Sequence, residues 1–120
     1  MSAPPAQYAI LFTADAERDV HSLDGSVRKL LRKVLEKKLA LDPQGDGIPL
    51  RAQLTGYWKH RFAAHRVIYR IYDDRKIVVV CAVGARRGQH ALDIYKQLLA
   101  VAQTGRLAAQ IAAALKPKRY

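Results

Sequence analysis

Cysteines, long apolar runs and, in the second part of the chain, acidic residues are scarce in this sequence. Each of these features excludes some classes of protein. Only one of the 120 residues is a cysteine, so no disulfide can form within the chain, and a reducing compartment is expected. That residue, Cys81, lies in the apolar stretch IVVVCAV and is expected to pack inertly in a strand. Apolar runs fall short of the roughly 18 residues that a membrane span requires, and MSAPPAQ does not resemble a signal peptide. We therefore expect a cytoplasmic protein.

Acidic residues are scarce in the second part of the chain. Residues 1–46 hold seven Lys or Arg and seven Asp or Glu, whereas residues 47–120 hold fourteen basic residues and three acidic ones. The whole formal net charge of +11 therefore lies in this second part. Such a distribution predicts a polyanionic partner, most simply nucleic acid or an acidic protein segment. A generally solvated basic surface is the alternative.

The order of the hydrophobic periods predicts one α+β domain. Residues 8–13 form a predicted strand, Thr13 is placed to cap a short helix, and an amphipathic helix follows at 26–41. After the turn-rich residues 42–49, three antiparallel strands are predicted at 57–62, 65–72 and 76–83, with the last one central. We expect a small antiparallel sheet with two N-terminal helices on one face and a C-terminal helix, the other face being left available.

Both ends of the chain fall outside the predicted domain. Residues 1–7 are expected to form a flexible N-terminal arm, residues 8–101 the folded domain, and residues 102–120 a basic tail. In the tail, Leu107, Ile111 and Leu115 recur at helical spacing. Docking as an extra amphipathic helix is favoured for this tail, and dimerisation or fraying in solution are the alternatives.

The segment GYWKHRFAAHRVIYR, residues 56–70, predicts a β-hairpin with a basic face. If Ala63 and Ala64 form the turn, Arg61 lies opposite Arg66, and side chains alternate between the two faces of the hairpin. The predicted basic face contains Tyr57, Lys59, Arg61, Arg66 and Arg70. The opposite, core face contains Trp58, His60, Phe62, His65, Val67, Tyr69 and Ile71.

The pair of arginines on this face predicts an anion site. Like charges directly opposite each other destabilise a sheet, so Arg61 against Arg66 is costly unless an anion lies between them. Guanidinium and ammonium groups that converge on one surface are typical of phosphate sites. Further arginines follow Gly84 at the end of the last strand, close to Arg66. As an alternative, the three acids of the second part could pair with these cations, but they are too few to neutralise them all: Asp73, Asp74 and Asp93.

Three segments resemble the RelE/ParE superfamily of bacterial type II toxins: FTADAERDVHSLDGSVRKLLRKVLEKKLALDP, LRAQLTGYWKHRF and HRVIYRIYDDRKIVVVCAVGARRGQHALDIY. They occur in the superfamily's order, and the likeness as a whole covers about residues 8–100. The resemblance implies a microbial-RNase-like α+β fold and neutralisation by a cognate antitoxin. For the RelE branch it also implies an endoribonuclease that cuts mRNA in the ribosomal A site without a metal or another cofactor.

In the RelE branch the ribose 2′-OH attacks the adjacent phosphate, which leaves a cyclic 2′,3′-phosphate and a 5′-OH. The arginines of such a site stabilise the phosphorane. The resemblance implies the catalytic residues Lys59, Arg61, Arg66, Arg86 and Tyr95. The expected RNA-binding residues are Tyr57, Arg70, Arg87 and His90.

Individual roles follow from the chemistry of these side chains. Lys59, crowded by other cations, is the candidate general base, with His90 and the core-facing His65 as alternative proton-transfer groups. Tyr95 is expected to orient the scissile phosphate or to stack on a base. No spacing of metal ligands occurs in the sequence.

Two other functions remain open for the same fold. ParE-like members of the superfamily inhibit DNA gyrase and largely lack the nuclease residues, and a fold alone does not separate the two activities. The joint presence of the five predicted catalytic residues favours the ribonuclease. A non-catalytic RNA-binding module is the third possibility, and it predicts salt-sensitive binding without cleavage.

Overall fold

A computed structural model of the chain describes residues 7–85 and 94–116. A five-stranded sheet with the strand order β1-β5-β4-β3-β2 carries helices on both of its faces. The strands are β1 (Ala9–Phe12), β2 (Ile48–Pro49), β3 (Tyr57–Phe62), β4 (His65–Tyr72) and β5 (Ile77–Ala85). The helices are α1 (Ala14–His21), α2 (Gly25–Val34), α3 (Ile94–Gln103) and α4 (Arg106–Leu115), with a π-helical turn at Leu35–Leu39 and a 3-10 turn at Ala52–Leu54. The predicted α+β class is confirmed.

The sheet is mixed rather than wholly antiparallel. Strands β2 to β5 pair with their neighbours in antiparallel fashion, as predicted, but β1 pairs with β5 in parallel. A parallel pair needs a long crossover connection, which the helices and strands between β1 and β5 supply. Strand β5 lies between β1 and β4, which confirms the central position predicted from its two apolar faces.

One face of the sheet is covered by α1, α2 and the π-helical turn. The N-terminus of α1 is capped as predicted, because the Thr13 hydroxyl accepts a hydrogen bond of 3.1 Å from the backbone N–H of Ala16. Leu31 and Leu39 are buried in the same cluster as Val67 of β4. This cluster and its half-buried neighbours also contain side chains that alternation assigned to the core: Trp58, Phe62, Tyr69 and Ile71.

The opposite face is covered by α3 and α4, which corrects the expectation that it is left available. Leu98 of α3 and both Leu107 and Ile111 of α4 are buried in one cluster with Ile68 and Val79 of the sheet. An amphipathic segment must bury its apolar stripe, and this face offers apolar strand residues for that purpose. The predicted boundary at residue 101 falls inside α3, and α4 contributes side chains to the core.

No single helix within residues 7–85 and 94–116 is long and apolar enough to cross a membrane. Helices α3 and α4 reach the required length and composition only together, as a pair bent by 89°. Apolar side chains of both helices lie in the core described above.

Cys81 lies at an irregularity of β5. Ile68 pairs with Ala82 and Tyr69 with Val80, so that Cys81 is the extra residue of a β-bulge. Burial raises the pKa of its thiol to about 12, and the positive charge of Arg70 acts in the opposite direction. A thiol with this pKa is protonated at neutral pH, in agreement with its predicted role as inert packing.

Candidate functional site

The β3–β4 hairpin has the predicted register. Arg61 lies opposite Arg66, Phe62 opposite His65, and Tyr57 opposite Arg70. Residues 63 and 64 form the turn, with a positive φ of 51° at the first of them, which suits the tight turns that join twisted antiparallel strands. The predicted pair of arginines is therefore present.

Arg66 is the buried member of this pair. Only 7% of its surface is exposed, and its neighbours on the adjoining strands are Arg61 and Gly84. In the part of the chain that the structure describes, its Nε–H has no hydrogen-bond partner, and no carboxylate forms an ion pair with it. A buried guanidinium group without a counter-charge is costly. An anion bound between the two arginines would remove that cost.

The described acidic side chains do not neutralise the basic face. Asp15 is the acid in both ion pairs found in residues 7–85 and 94–116, and its partners lie on α1 and α4. Asp73 accepts hydrogen bonds from the Tyr8 hydroxyl and from the side-chain amide of Gln44. Asp93 lies outside the described residues. The alternative in which acids pair with the hairpin cations thus gains no support from the described acids.

Tyr95 is brought into contact with Lys59 by α3. The Lys59 Nζ lies 5.6 Å from the centroid of the Tyr95 ring. Ile94, the residue before Tyr95, is 3% exposed and packs over Gly84, with its Cδ1 3.5 Å from the position that a Cβ would occupy there, an ordinary van der Waals distance. The first turn of α3 is therefore seated on β5 next to the strand that carries Arg66.

Tyr57 and Arg70 lie at the other end of the hairpin. The guanidinium carbon of Arg70 is 5.3 Å from the centroid of the Tyr57 ring and 5.7 Å from that of Tyr72. Four strand positions, about 13 Å, separate Arg70 from Arg66, so the structure does not bring these two arginines together. The sequence reasoning missed Tyr72, although strand alternation places it on the same face as Arg70.

Three predicted site residues, Arg86, Arg87 and His90, lie outside the described residues. Their roles stay predictions; β5 ends just before them, at Ala85, which pairs with His65.

The ring of His65 stacks on Phe62 with a centroid distance of 5.6 Å, on the face opposite Arg66, as alternation predicts.

Comparisons with known proteins give consistent matches. The sequence profile described as "ParE toxin of type II toxin-antitoxin system, parDE" matches residues 10–90. Toxin RelG of Mycobacterium tuberculosis is 32% identical over 90 residues, which cover 75% of this chain and 98% of RelG. Toxin YoeB of Synechocystis is 37% identical over 79 residues, 60% of this chain and 91% of that toxin. A chain in the crystal structure of the RelBE2 toxin-antitoxin complex of M. tuberculosis is 30% identical with a TM-score of 0.65, covering 71% of this chain and 98% of that one.

The fold, the basic hairpin and these matches define the class of protein, a toxin of the type II toxin–antitoxin systems. The chain belongs to the RelE/ParE superfamily of these toxins. The resemblance seen in the sequence and the RelE-like fold are thereby confirmed. The profile match ends at residue 90, so that α3 and α4 lie beyond it.

Proposed function

We propose that this toxin is a ribosome-dependent endoribonuclease that cleaves mRNA and thereby inhibits translation. The observation that carries the proposal is the state of Arg66, a buried guanidinium whose Nε–H has no partner among the described residues and which lies opposite Arg61. Two guanidinium groups at neighbouring strand positions suit the oxygen atoms of one phosphate. An RNA phosphodiester supplies that anion.

The proposed reaction is a transfer within the RNA strand. The ribose 2′ oxygen forms a bond to the adjacent phosphorus, the bond from phosphorus to the 5′ oxygen breaks, and a 2′,3′-cyclic phosphate and a 5′-OH result. The amine of Lys59 takes the proton of the 2′-OH as general base, and the 5′ oxygen takes up a proton from water as it leaves. The phosphorane carries more negative charge than the diester, and Arg61, Arg66 and Arg86 stabilise that additional charge.

A cognate antitoxin is the protein partner that we propose. The M. tuberculosis relative with 30% identity was solved as a toxin–antitoxin complex. This chain carries a net charge of +11. An antitoxin segment with acidic and apolar side chains would neutralise the hairpin cations that α3 and α4 leave exposed, such as Arg61.

Inhibition of DNA gyrase is the second candidate function. It is favoured by one observation, the match of residues 10–90 to the ParE profile. The similarity to RelG and YoeB and the arrangement of Arg61, Arg66 and Lys59 favour the nuclease. Since the two activities share a fold, an assay must separate them.

The test combines purified ribosomes carrying a defined mRNA with a gyrase supercoiling assay. We expect the wild-type toxin to cut the mRNA only when ribosomes are present, to leave 5′-OH and cyclic phosphate ends, and to leave supercoiling unchanged. The double variant Arg66→Ala/Arg86→Ala is expected to keep the wild-type circular dichroism spectrum and to lose cleavage and growth arrest. Arg75→Ala is the matched control, because Arg75 is an exposed arginine in the turn between β4 and β5.

Three outcomes would contradict the proposal. Inhibited supercoiling with intact mRNA would identify a gyrase inhibitor. Salt-sensitive RNA binding without cleavage would identify a non-catalytic RNA-binding module. Cleavage by the double variant at the wild-type rate would show that the site is assigned to the wrong residues.

A further inference from the structure

Lys59 is a flexible side chain in a crowded cationic environment. It lies two residues before Arg61 on the same face of β3, and Arg66 lies opposite Arg61 on β4. Repulsion by the two guanidinium groups favours positions of the ammonium group that are far from them. Among the described residues, Lys59 forms no ion pair, and the contact recorded for its Nζ is the Tyr95 ring at 5.6 Å. Within the described part of the chain, this ring is therefore a group that attracts the ammonium group and opposes its repulsion by the two arginines.

The Tyr95 ring is itself held by the sheet. Ile94 is buried in the cluster formed by the C-terminal helices, and its Cδ1 lies 3.5 Å from the position that a Cβ would occupy at Gly84. Gly84 pairs with Arg66. The ring that contacts Lys59 is thus anchored to the strand next to Arg66, which links the position of the amine to that of the arginine pair.

We propose that Tyr95 is a positioning residue whose ring holds the Lys59 amine beside the arginine pair, and that the ring rather than the hydroxyl performs this role. The proposal rests on the proposed function, because it takes Lys59 as the general base. Positive charge develops on Nζ as Lys59 accepts the 2′-OH proton, and the face of an aromatic ring attracts a cation. The ring therefore stabilises the transition state more than the state that precedes it.

The first arm of the test is NMR of the free protein, which needs neither RNA nor ribosomes. Ring currents of Tyr95 are expected to shift the Lys59 Hε resonances upfield. Tyr95→Leu should abolish this shift, and Tyr95→Phe should preserve it. If the Lys59 resonances are the same in the wild type and in Tyr95→Leu, the contact is absent and the proposal is overturned.

The second arm measures mRNA cleavage on ribosomes over a range of toxin concentrations. We expect Tyr95→Leu to lower the rate at saturation about tenfold or more, with the half-saturating concentration changed less than about threefold, because the base is displaced while ribosome binding is kept. Tyr95→Phe is expected to recover most of the lost rate. Lys96→Ala, which removes an exposed cation from the same helical turn, is the control and should match the wild type.

The outcomes of the second arm separate the possible failures. Equal losses in Tyr95→Phe and Tyr95→Leu would show that the hydroxyl acts, which overturns the positioning role. Absence of cleavage by the wild type would overturn the proposed function and with it the role of Lys59 as a base, while NMR still decides whether the contact exists. Thermal melts of both Tyr95 variants exclude unfolding as the cause of a loss.

Discussion

The two ends of the β3–β4 hairpin place the same type of residue in opposite surroundings. Near the turn, Arg66 is buried, and its Nε–H has no partner in the described part of the chain. At the other end, Arg70 lies between the rings of Tyr57 and Tyr72. Both arginines lie on one face of one strand, so residue type and face do not distinguish a ligand site from a packing contact. The distinction lies in whether the protein itself provides a partner for the charge.

The neighbouring strand β5 contributes to this difference. Opposite Arg66 it carries Gly84, which has no side chain that could contact the guanidinium group. Opposite Arg70 it carries Val79, a buried residue of the core on that face. We infer that Arg70 acts within the fold, whereas Arg66 is stabilised when an anion binds.

The largest effect is expected on mRNA cleavage and for substitution of Arg66, whose Nε–H has no partner among the described residues. Arg66→Ala should lower the rate of mRNA cleavage about 10²- to 10³-fold, because it removes a group that stabilises transition-state charge. The free energy of unfolding should change by less than about 1 kcal/mol, since the substitution also removes a buried charge that no carboxylate in residues 7–85 and 94–116 compensates. Single-turnover cleavage and urea unfolding measure the two quantities.

Arg66→Lys sharpens this test. It keeps the charge but loses the planar fork, so we expect a loss of about tenfold in cleavage rate. Cleavage of mRNA by Arg66→Ala at the wild-type rate would contradict the role of Arg66 as an anion ligand. A loss of stability large enough to explain the inactivity of Arg66→Ala would show that Arg66, like Arg70, acts within the fold.

The next largest effect is expected on stability and for substitution of Arg70, which contacts the rings of Tyr57 and Tyr72. Arg70→Ala should lower the free energy of unfolding by about 1–2 kcal/mol, because both ring contacts and the packing of the aliphatic stem are lost. The cleavage rate of the folded protein should fall less than about threefold. Urea unfolding and single-turnover cleavage again provide the measurements, with Arg75→Ala as the exposed control. A larger loss in RNA binding than in stability would favour the RNA-contact role predicted for Arg70 and Tyr57.

The local part of this arrangement could be predicted from the sequence. Strand alternation has a period of two residues, so a turn at residues 63 and 64 was enough to predict that Arg61 faces Arg66. The helix start after Thr13 is equally local, because a hydroxyl at the cap position bonds to a nearby backbone N–H. Tyr95 was found by its resemblance to a family motif, but its contact with Lys59 was not predicted.

The long-range part could not be predicted in the same way. The four residues of β1 do not encode the direction in which they pair, and the amphipathic stripe of α4 does not encode the sheet face against which it packs. The burial of Arg66 depends on tertiary packing that strand alternation does not specify. The packing of Ile94 over Gly84 has no signal in the sequence either, because its 3.5 Å distance from a Cβ position at Gly84 is an ordinary contact that does not require a glycine.

The smallest expected effect is a change in the rate at which a reagent labels the Cys81 thiol, and it compares the contributions of Arg66 and Arg70 to the stability of the sheet. Burial raises the pKa of this thiol to about 12, so at pH 8 a thiol reagent reacts through molecules in which this part of the sheet has opened. Arg70→Lys keeps a cation near the two tyrosine rings but loses the flat guanidinium group, so the open population and the labelling rate should rise about threefold. Arg66→Lys should leave the labelling rate within about 1.5-fold of the wild-type value, because Arg66 contributes little to closing the sheet. An equal increase of the Cys81 labelling rate in the two variants would mean that both arginines stabilise the fold. This outcome would contradict the inference that Arg66, unlike Arg70, is stabilised by a bound anion.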